Sequence, residues 1–367
     1  MKAESIYVAA TDQHVGKTTS TLGLVSVLKQ KGINIGYCKP VGQKFLNMGN
    51  LRVDKDTLLF ADLLGFEIKP ELHSPVILGQ GATAAYIDDP GNFNYKTRVM
   101  DAYKALSKQY DLVIYEGTGH PGVGSVVDLS NAEVAKMLHA SVIMVVEGGI
   151  GSTIDRLNVS LALFREKKVP ILGIIVNKVI PDKIDQVRYY VEKKLNDMGH
   201  QLLGVLPYEE ALAYPIMRTI VDAIDGSVTQ NIDRLERHVE DVMAGSLIDA
   251  NRVKQAKNQL LVVGADRVNN AIHKVDLLSQ VNGIEESPLA GIVATGEGDI
   301  SEQSIRYIKK HRIPLVRTHL DTFGSVIKIS RIEVKINLHT PWKINRAIEL
   351  IRENVSLEMV MRSTSMV

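Results

Sequence analysis

The stretch Ile6–Gly32, IYVAATDQHVGKTTSTLGLVSVLKQKG, decides the fold, because a β-type apolar run, a tight loop ending Gly16-Lys17-Thr18-Thr19 and a helical pattern follow one another directly. That succession is a phosphate-binding loop in its proper setting. Loop N–H groups and the first helical turn offer partial positive charge, Lys17 can reach β- and γ-phosphates, and the Thr18 hydroxyl can ligate Mg²⁺. The strict G-x-x-x-x-G-K-[ST] pattern wants glycine where Thr11 stands, and the nearest small residue is Ala10. Binding of ATP or a related nucleotide is expected.

The runs INIGYCKPVG, YDLVIYEGTG, ASVIMVVEGG, VPILGIIVNKV and HQLLGVLPY are rich in Val and Ile and end at Gly, Pro or polar residues, as buried parallel strands do. Helical patterns between them (TRVMDAYKALSKQ, SNAEVAKMLH, IDQVRYYVEKKLNDMG) predict a mostly parallel α/β sheet with helices on both faces, spanning 1–215. Gln43–Asp54 and His120–Ser130 read as loops on glycine and asparagine content. Residues 216–240 read as a helical connection. A smaller α/β domain is then expected over 241–354, on NQLLVVGADR, LAGIVATGEG, IPLVRTHL and a closing helix HTPWKINRAIELIREN with Thr340 as N-cap and Pro341 at its first position. From Val355 the tail has weak periodicity and is expected to be mobile or to contact a partner.

With 367 residues, 45% of them hydrophobic, the chain can bury two cores. A net charge of +1 with interspersed signs gives no basic stripe, so nucleic acid is not an expected partner. Cys38 is the sole cysteine, which excludes an internal disulfide framework and fits a reducing cytoplasm. No apolar run approaches the ~20 residues of a membrane span, and a soluble protein is expected.

Functional residues of open α/β sheets gather at the C-terminal strand ends, where Thr11, Lys39, Glu116, Glu147 and Asn177 all fall. Glu116 leaves a buried run beside Gly117-Thr118-Gly119 and is a candidate Mg²⁺ ligand. Asp56 opens a helix, so capping and metal ligation are both open for it. Lys39, before Pro40, is placed for a second phosphate or carboxylate contact. Asn177 has the donor and acceptor to read an adenine edge, and His14 lies inside the phosphate loop.

ATDQHVGKTT, KPV, the Asp56 segment, EGTG with SNAEVAKML, and VNKVIP, in this order, resemble the dethiobiotin synthetase group of P-loop proteins, with Ala10 in place of the first glycine of that family's loop. The resemblance implies that Thr18, Asp56 and Glu116 hold Mg²⁺ and that Lys17 and Lys39 are the catalytic contacts to phosphate or substrate. It implies further that Asp12, Val15, Gly16, Thr19 and Asn177 line the ATP site. Past residue 215 the order HVEDVMAGSLIDANR, VGADR, IVATGEG is similar to the DRTGG domain of long bacterial phosphate acetyltransferases, with Glu297 at that motif's second glycine. Asp266, Arg267, Thr295 and Gly296 are its candidate ligand residues: they could hold an anion, or Asp266 and Arg267 could brace two loops. An acetyltransferase domain is not expected in this chain, so the resemblance implies a regulatory half, homo-oligomeric, with a protein partner such as an acetyltransferase.

An ATP-dependent synthetase is the competing expectation. Against it, Gly42-Gln43-Lys44 follows KPV where that family has a Gln-Ser-Gly type loop, and EGTGH lacks the family's final glycine. Amidation from glutamine lacks a cysteine in the second domain. A dimerising, partner-positioning ATPase lacks its early loop lysine, since Asp12, Gln13 and His14 supply none.

Overall fold

The computed structural model describes residues 4–49, 51–244, 257–332, 334, 336–338 and 340–363, and resolves the chain into two compact units, Met1–Glu209 with Ile336–Val367, and Glu210–Lys335. The first is built on six parallel strands: β1 (Glu4–Ala10), β2 (Ile35–Cys38), β7 (Leu112–Glu116), β8 (Ser141–Glu147), β9 (Ile171–Val179) and β10 (Leu202–Pro207). They lie in the order β10-β9-β8-β1-β7-β2. The skipped numbers are short accessory strands: β3 (Val41–Gly42) pairs with β6 (Val76–Ile77), and β4 (Phe45–Met48) pairs with β5 (Leu51–Asp54). This last pair is an antiparallel hairpin within the stretch expected to be a loop. Between His120 and Ser130 a single 3₁₀ turn, Ser125–Val127, interrupts the expected loop.

Side-chain alternation sends Tyr7 and Ala9 to one face of the sheet and Ile6, Val8 and Ala10 to the other. Both faces need cover, which is why these strands read as unbroken apolar runs. Helices α5 (Tyr95–Leu106), α6 (Asn131–Met137), α7 (Gly151–Glu166) and α8 (Ile184–Asp197) cover the first face. On the second lie α1 (Lys17–Gln30) and α2 (Lys55–Leu64), over β1, β7 and β2. Because α7 and α8 are both spent on the first face, Leu172, Ile175, Leu203 and Leu206 of β9 and β10 would be bare on the second.

The C-terminus supplies the cover. Helix α13 (Pro341–Asn354) puts Ala347 and Ile351 against α1, where a Cβ on Gly23 would lie 2.8 Å from the Ala347 carbonyl oxygen. Val355 bridges Gly204, and the Ser356 N–H donates to Leu203 O at 2.8 Å. This helix, expected to close the second domain, therefore completes the first, and 357–363, expected to be a mobile tail, form α14 with Val360 in the same core. Residues 364–367 of that tail lie outside the described residues. Thr340 does not cap α13 with its side chain; its hydroxyl donates to Asn337 O and accepts the Asn337 N–H.

The second unit carries β11 (Ser227–Gln230), β12 (Asp241–Ala244), β13 (Gln259–Gly264), β14 (Leu289–Thr295) and β15 (Leu315–Thr318), in the order β11-β15-β14-β13-β12. β11 is antiparallel to β15 and the rest are parallel. Its faces are covered by α10 (Val268–Val281) and α11 (Glu302–Lys310) on one side and by α9 (Met217–Ala223) and α12 (Thr322–Ser330) on the other. The expected helical connection, 216–240, is thus part of this unit, contributing α9 and an edge strand. The segment 245–252 of the expected DRTGG motif lies outside the described residues.

Candidate nucleotide and metal site

The loop between β1 and α1 turns on two left-handed residues, His14 (φ 59°) and Gly16 (φ 99°). Ala10 and Thr11 have no positive φ, so this loop has no conformational need for a glycine there. A Cβ on Gly16 would meet Asn177 Nδ2 at 2.0 Å, because that amide tucks under the loop and donates to Val15 O at 2.8 Å. Asn177 thus braces the loop from the end of β9. Asp12 is exposed and accepts the Gln13 N–H, His14 is exposed, and Thr19 is half-buried in the first turn of α1.

Lys17 opens α1 and reaches Gly119 O at 3.4 Å, and Thr18 Oγ1 donates to Glu116 Oε1 at 2.9 Å. Glu116 is completely buried, and its second oxygen, Oε2, has no hydrogen-bond partner. Lys39 stands beside it, with its ammonium on Asp56 Oδ2, 3.3 Å from Asp54 Oδ1 and 3.7 Å from Glu116 Oε1. All four side chains are buried. Burial disfavours the Lys39 ammonium more than any single neighbour favours it, yet Asp56, Glu116 and Asp54 together outweigh burial and hold its pKa above the usual lysine value. Burial likewise raises the Glu116 and Asp54 carboxyls, against the pull of Lys39.

Asp54 was not singled out by sequence, and it takes the capping role that was one of the two readings of Asp56. Its Oδ1 accepts the Asp56 N–H at 3.0 Å and caps α2, which leaves the Asp56 carboxylate to face Lys39. The signal was present in D-K-D-T, an N-cap aspartate two residues before a first-turn aspartate. Asn131 was also missed. It accepts from Tyr7 OH (2.7 Å) and the Thr118 N–H (3.1 Å) and donates to Thr118 O and His120 O, fixing the turn after Glu116. Glu147 stays apart, paired at the surface with Arg156 at 2.9 Å.

Among the described residues no three His, Cys, Asp or Glu side chains form a metal cage. Magnesium does not require one, since it keeps several waters and takes one or two carboxylates with phosphate oxygens. The Thr18 hydroxyl, the free oxygen of Glu116 and the nearby Asp56 suit that pattern.

In the second unit, Asp266 and Arg267 lie in the turn after β13. Their side chains are exposed and 3.9 Å apart, a contact between sequence neighbours. Thr295, at the end of β14, shares a hydroxyl contact of 2.9 Å with Thr322, and the Gly296 N–H donates to Thr318 O. The turn's left-handed positions are Gly296 and Gly298, so Glu297 sits where no glycine is needed. Gly298 packs on the backbone of Ala265 and Asp266, which brings the ends of β13 and β14 together.

A central parallel strand, a Gly-Lys-Thr turn into a helix and an acidic strand end at the adjacent β7 define a P-loop NTPase fold, followed by a second, smaller α/β domain. Comparison with known proteins places the chain more closely. It belongs to the dethiobiotin synthetase-like P-loop family, matching the AAA domain family model AAA_26 over residues 4–215, and the DRTGG domain model matches 219–332. It is 30% identical over 207 residues to the ATP-dependent dethiobiotin synthetase BioD of Methanococcus vannielii, covering 55% of this chain and 92% of that one. It is 23% identical over 376 residues to the phosphate acetyltransferase of Nitrosomonas europaea, covering 98% of this chain and 51% of the relative. The chain thus spans about half the length of the phosphate acetyltransferases it matches. Among solved structures, the MinD cell division protein of Aquifex aeolicus is similar at 15% identity and TM-score 0.38, over 57% of this chain and 85% of that one. No helix among the described residues is long and apolar enough to cross a membrane.

Proposed function

We propose that the chain binds Mg·ATP at the β1–α1 loop and acts as a nucleotide-responsive regulatory protein. The observation that carries the nucleotide reading is the Lys17, Thr18 and Glu116 arrangement: a lysine at a helix N-terminus, and a hydroxyl held on a buried carboxylate whose other oxygen lacks a partner. In this reading Lys17 and the loop N–H groups hold the phosphates, while Thr18, Glu116 and Asp56 hold the ion. The ion would offset phosphate charge and orient the terminal phosphoryl group. Asn177 reads adenine with the polar capacity left after its bond to Val15.

Regulation is favoured by the continuous similarity to phosphate acetyltransferase across both domains. The expected output is contact with a partner of the acetyltransferase kind, in the cytoplasm and as a homo-oligomer. In the second domain, Asp266, Arg267, Thr295 and Gly296 remain the candidate ligand residues. The alternative, an ATP-dependent ligase, is favoured by the dethiobiotin synthetase similarity and by the presence of Lys17, Thr18, Asp56 and Glu116 together.

Titration calorimetry with Mg·ATP and Lys17→Ala tests the site. Binding should be lost in the variant while its unfolding temperature is kept, and unchanged affinity would sink the assignment. Phosphate release with bicarbonate and a panel of diamines and carboxylates separates the readings: substrate-stimulated turnover establishes the ligase, whereas binding with little turnover under every condition supports regulation.

A further inference from the structure

The Lys39 ammonium faces three carboxylates, those of Asp56, Asp54 and Glu116, and Lys17 also acts on Glu116. An ion seated between Thr18 and Glu116 would draw on Glu116 and Asp56, two of the side chains that hold the ammonium. Metal and lysine therefore draw on two of the same carboxylates. Stranding a buried charge is costly, so the outcome turns on whether Lys39 keeps a counter-ion once the metal arrives.

Asp54 is placed to be that counter-ion. It ends β5 with 1% of its surface exposed and is anchored on every side. Its N–H donates to Ser74 Oγ at 3.2 Å, its Oδ1 accepts the Asp56 N–H, and a Cβ on Gly42 would fall 2.5 Å from its Oδ2. Glu116, by contrast, has an unpartnered buried oxygen that calls for a further ligand.

We infer that Asp54 is a positioning residue for Lys39: it retains the ammonium when a divalent cation takes Asp56 and Glu116, so that metal and lysine occupy the site together. The inference rests on the Mg·ATP reading. It makes the Asp54 effect on metal affinity depend on Lys39, which a purely structural cap would not do.

The test is Mn²⁺ binding, read from the loss of the free-ion electron paramagnetic resonance signal, in the full chain with a non-hydrolysable ATP analogue. Wild type, Asp54→Asn, Lys39→Met and the double variant form a cycle. Asparagine keeps the capping oxygen, and Asp54→Ser, another capping residue, replaces it if Asp54→Asn fails to fold. The direct field of Asp54 on the ion acts in both backgrounds and cancels in the ratio. Asp54→Asn should weaken Mn²⁺ binding about tenfold more with Lys39 present than in the Lys39→Met background, the cost of leaving a buried ammonium short of a partner. An equal loss in both backgrounds, or no loss, overturns the Asp54 role and leaves the nucleotide reading standing. No Mn²⁺ binding by the wild type overturns both.

Discussion

Substituting Gly23 by alanine probes the least expected part of the fold, the return of the C-terminal helix to the first unit. In a helix facing water the change would stabilise by about 1 kcal/mol, through helix propensity alone. At Gly23 the new methyl would lie 2.3 Å from Ile351 Cγ1, 2.7 Å from Ile351 Cβ and 2.8 Å from Ala347 O. Ile351 is fully buried and has little room to turn, and the carbonyl moves only if α13 moves. Overpacking of this kind costs about 1–3 kcal/mol. The net effect should be a loss of up to about 2 kcal/mol, or several degrees of melting temperature for a unit of this size. Urea unfolding gives the energy, and hydrogen exchange over 341–354 should show faster opening of α13. Gly151, whose Cβ would meet nothing within 4 Å, is the control and should tolerate alanine. A Gly23→Ala protein stabilised by the full propensity gain, with unchanged exchange over α13, would refute the docking.

Two further outcomes follow from buried groups in the first unit. Burial pushes the His73 imidazole down to about 4, and its Nδ1 accepts the Lys69 N–H at 3.0 Å, a bond that protonation would break. The unfolded chain therefore takes up a proton near pH 6.5 that the folded protein refuses until about 4. Stability should fall across that window by about 3 kcal/mol and level off below it. Urea titrations at several pH values measure the slope, which His73→Phe should flatten. Cys38 is buried and its thiol is pushed up by burial, so alkylating reagents should label it only after unfolding. Rapid labelling of the native protein, read by mass spectrometry, would contradict the placement of β2.

Much of the first sheet was legible because its signals are local. A strand buried on both faces has to be apolar throughout, and the phosphate loop needs its Gly-Lys-Thr at fixed spacing, so β1, α1, β2, β7, β8, β9 and β10 could be read from windows of ten residues. The same holds for Lys17, Thr18 and Glu116, whose positions follow from the ends of those elements. Asp54 was missed because it closes a hairpin in a stretch rich in polar residues and glycine, where periodicity is weak. Its meaning comes from Lys39 and Asp56 meeting it in space. Asn131 was missed because its partners, Tyr7 and Thr118, are remote or across a turn.

Sequence by itself determined the parallel α/β sheet, its phosphate loop and the presence of a second, smaller domain, since each depends on hydrophobic period and turn chemistry within one segment. Tertiary structure alone decided that 341–354 covers the exposed face of β9 and β10 rather than closing the second unit. An amphipathic helix records that it must bury one face but not which surface lacks cover, and that lack exists only because α7 and α8 both cross on the other side. It also decided which charged groups meet at the site. The meeting of Lys39 with three carboxylates is a property of distances between residues 39, 54, 56 and 116, and strong interaction of buried charges depends on proximity in space rather than on order along the chain.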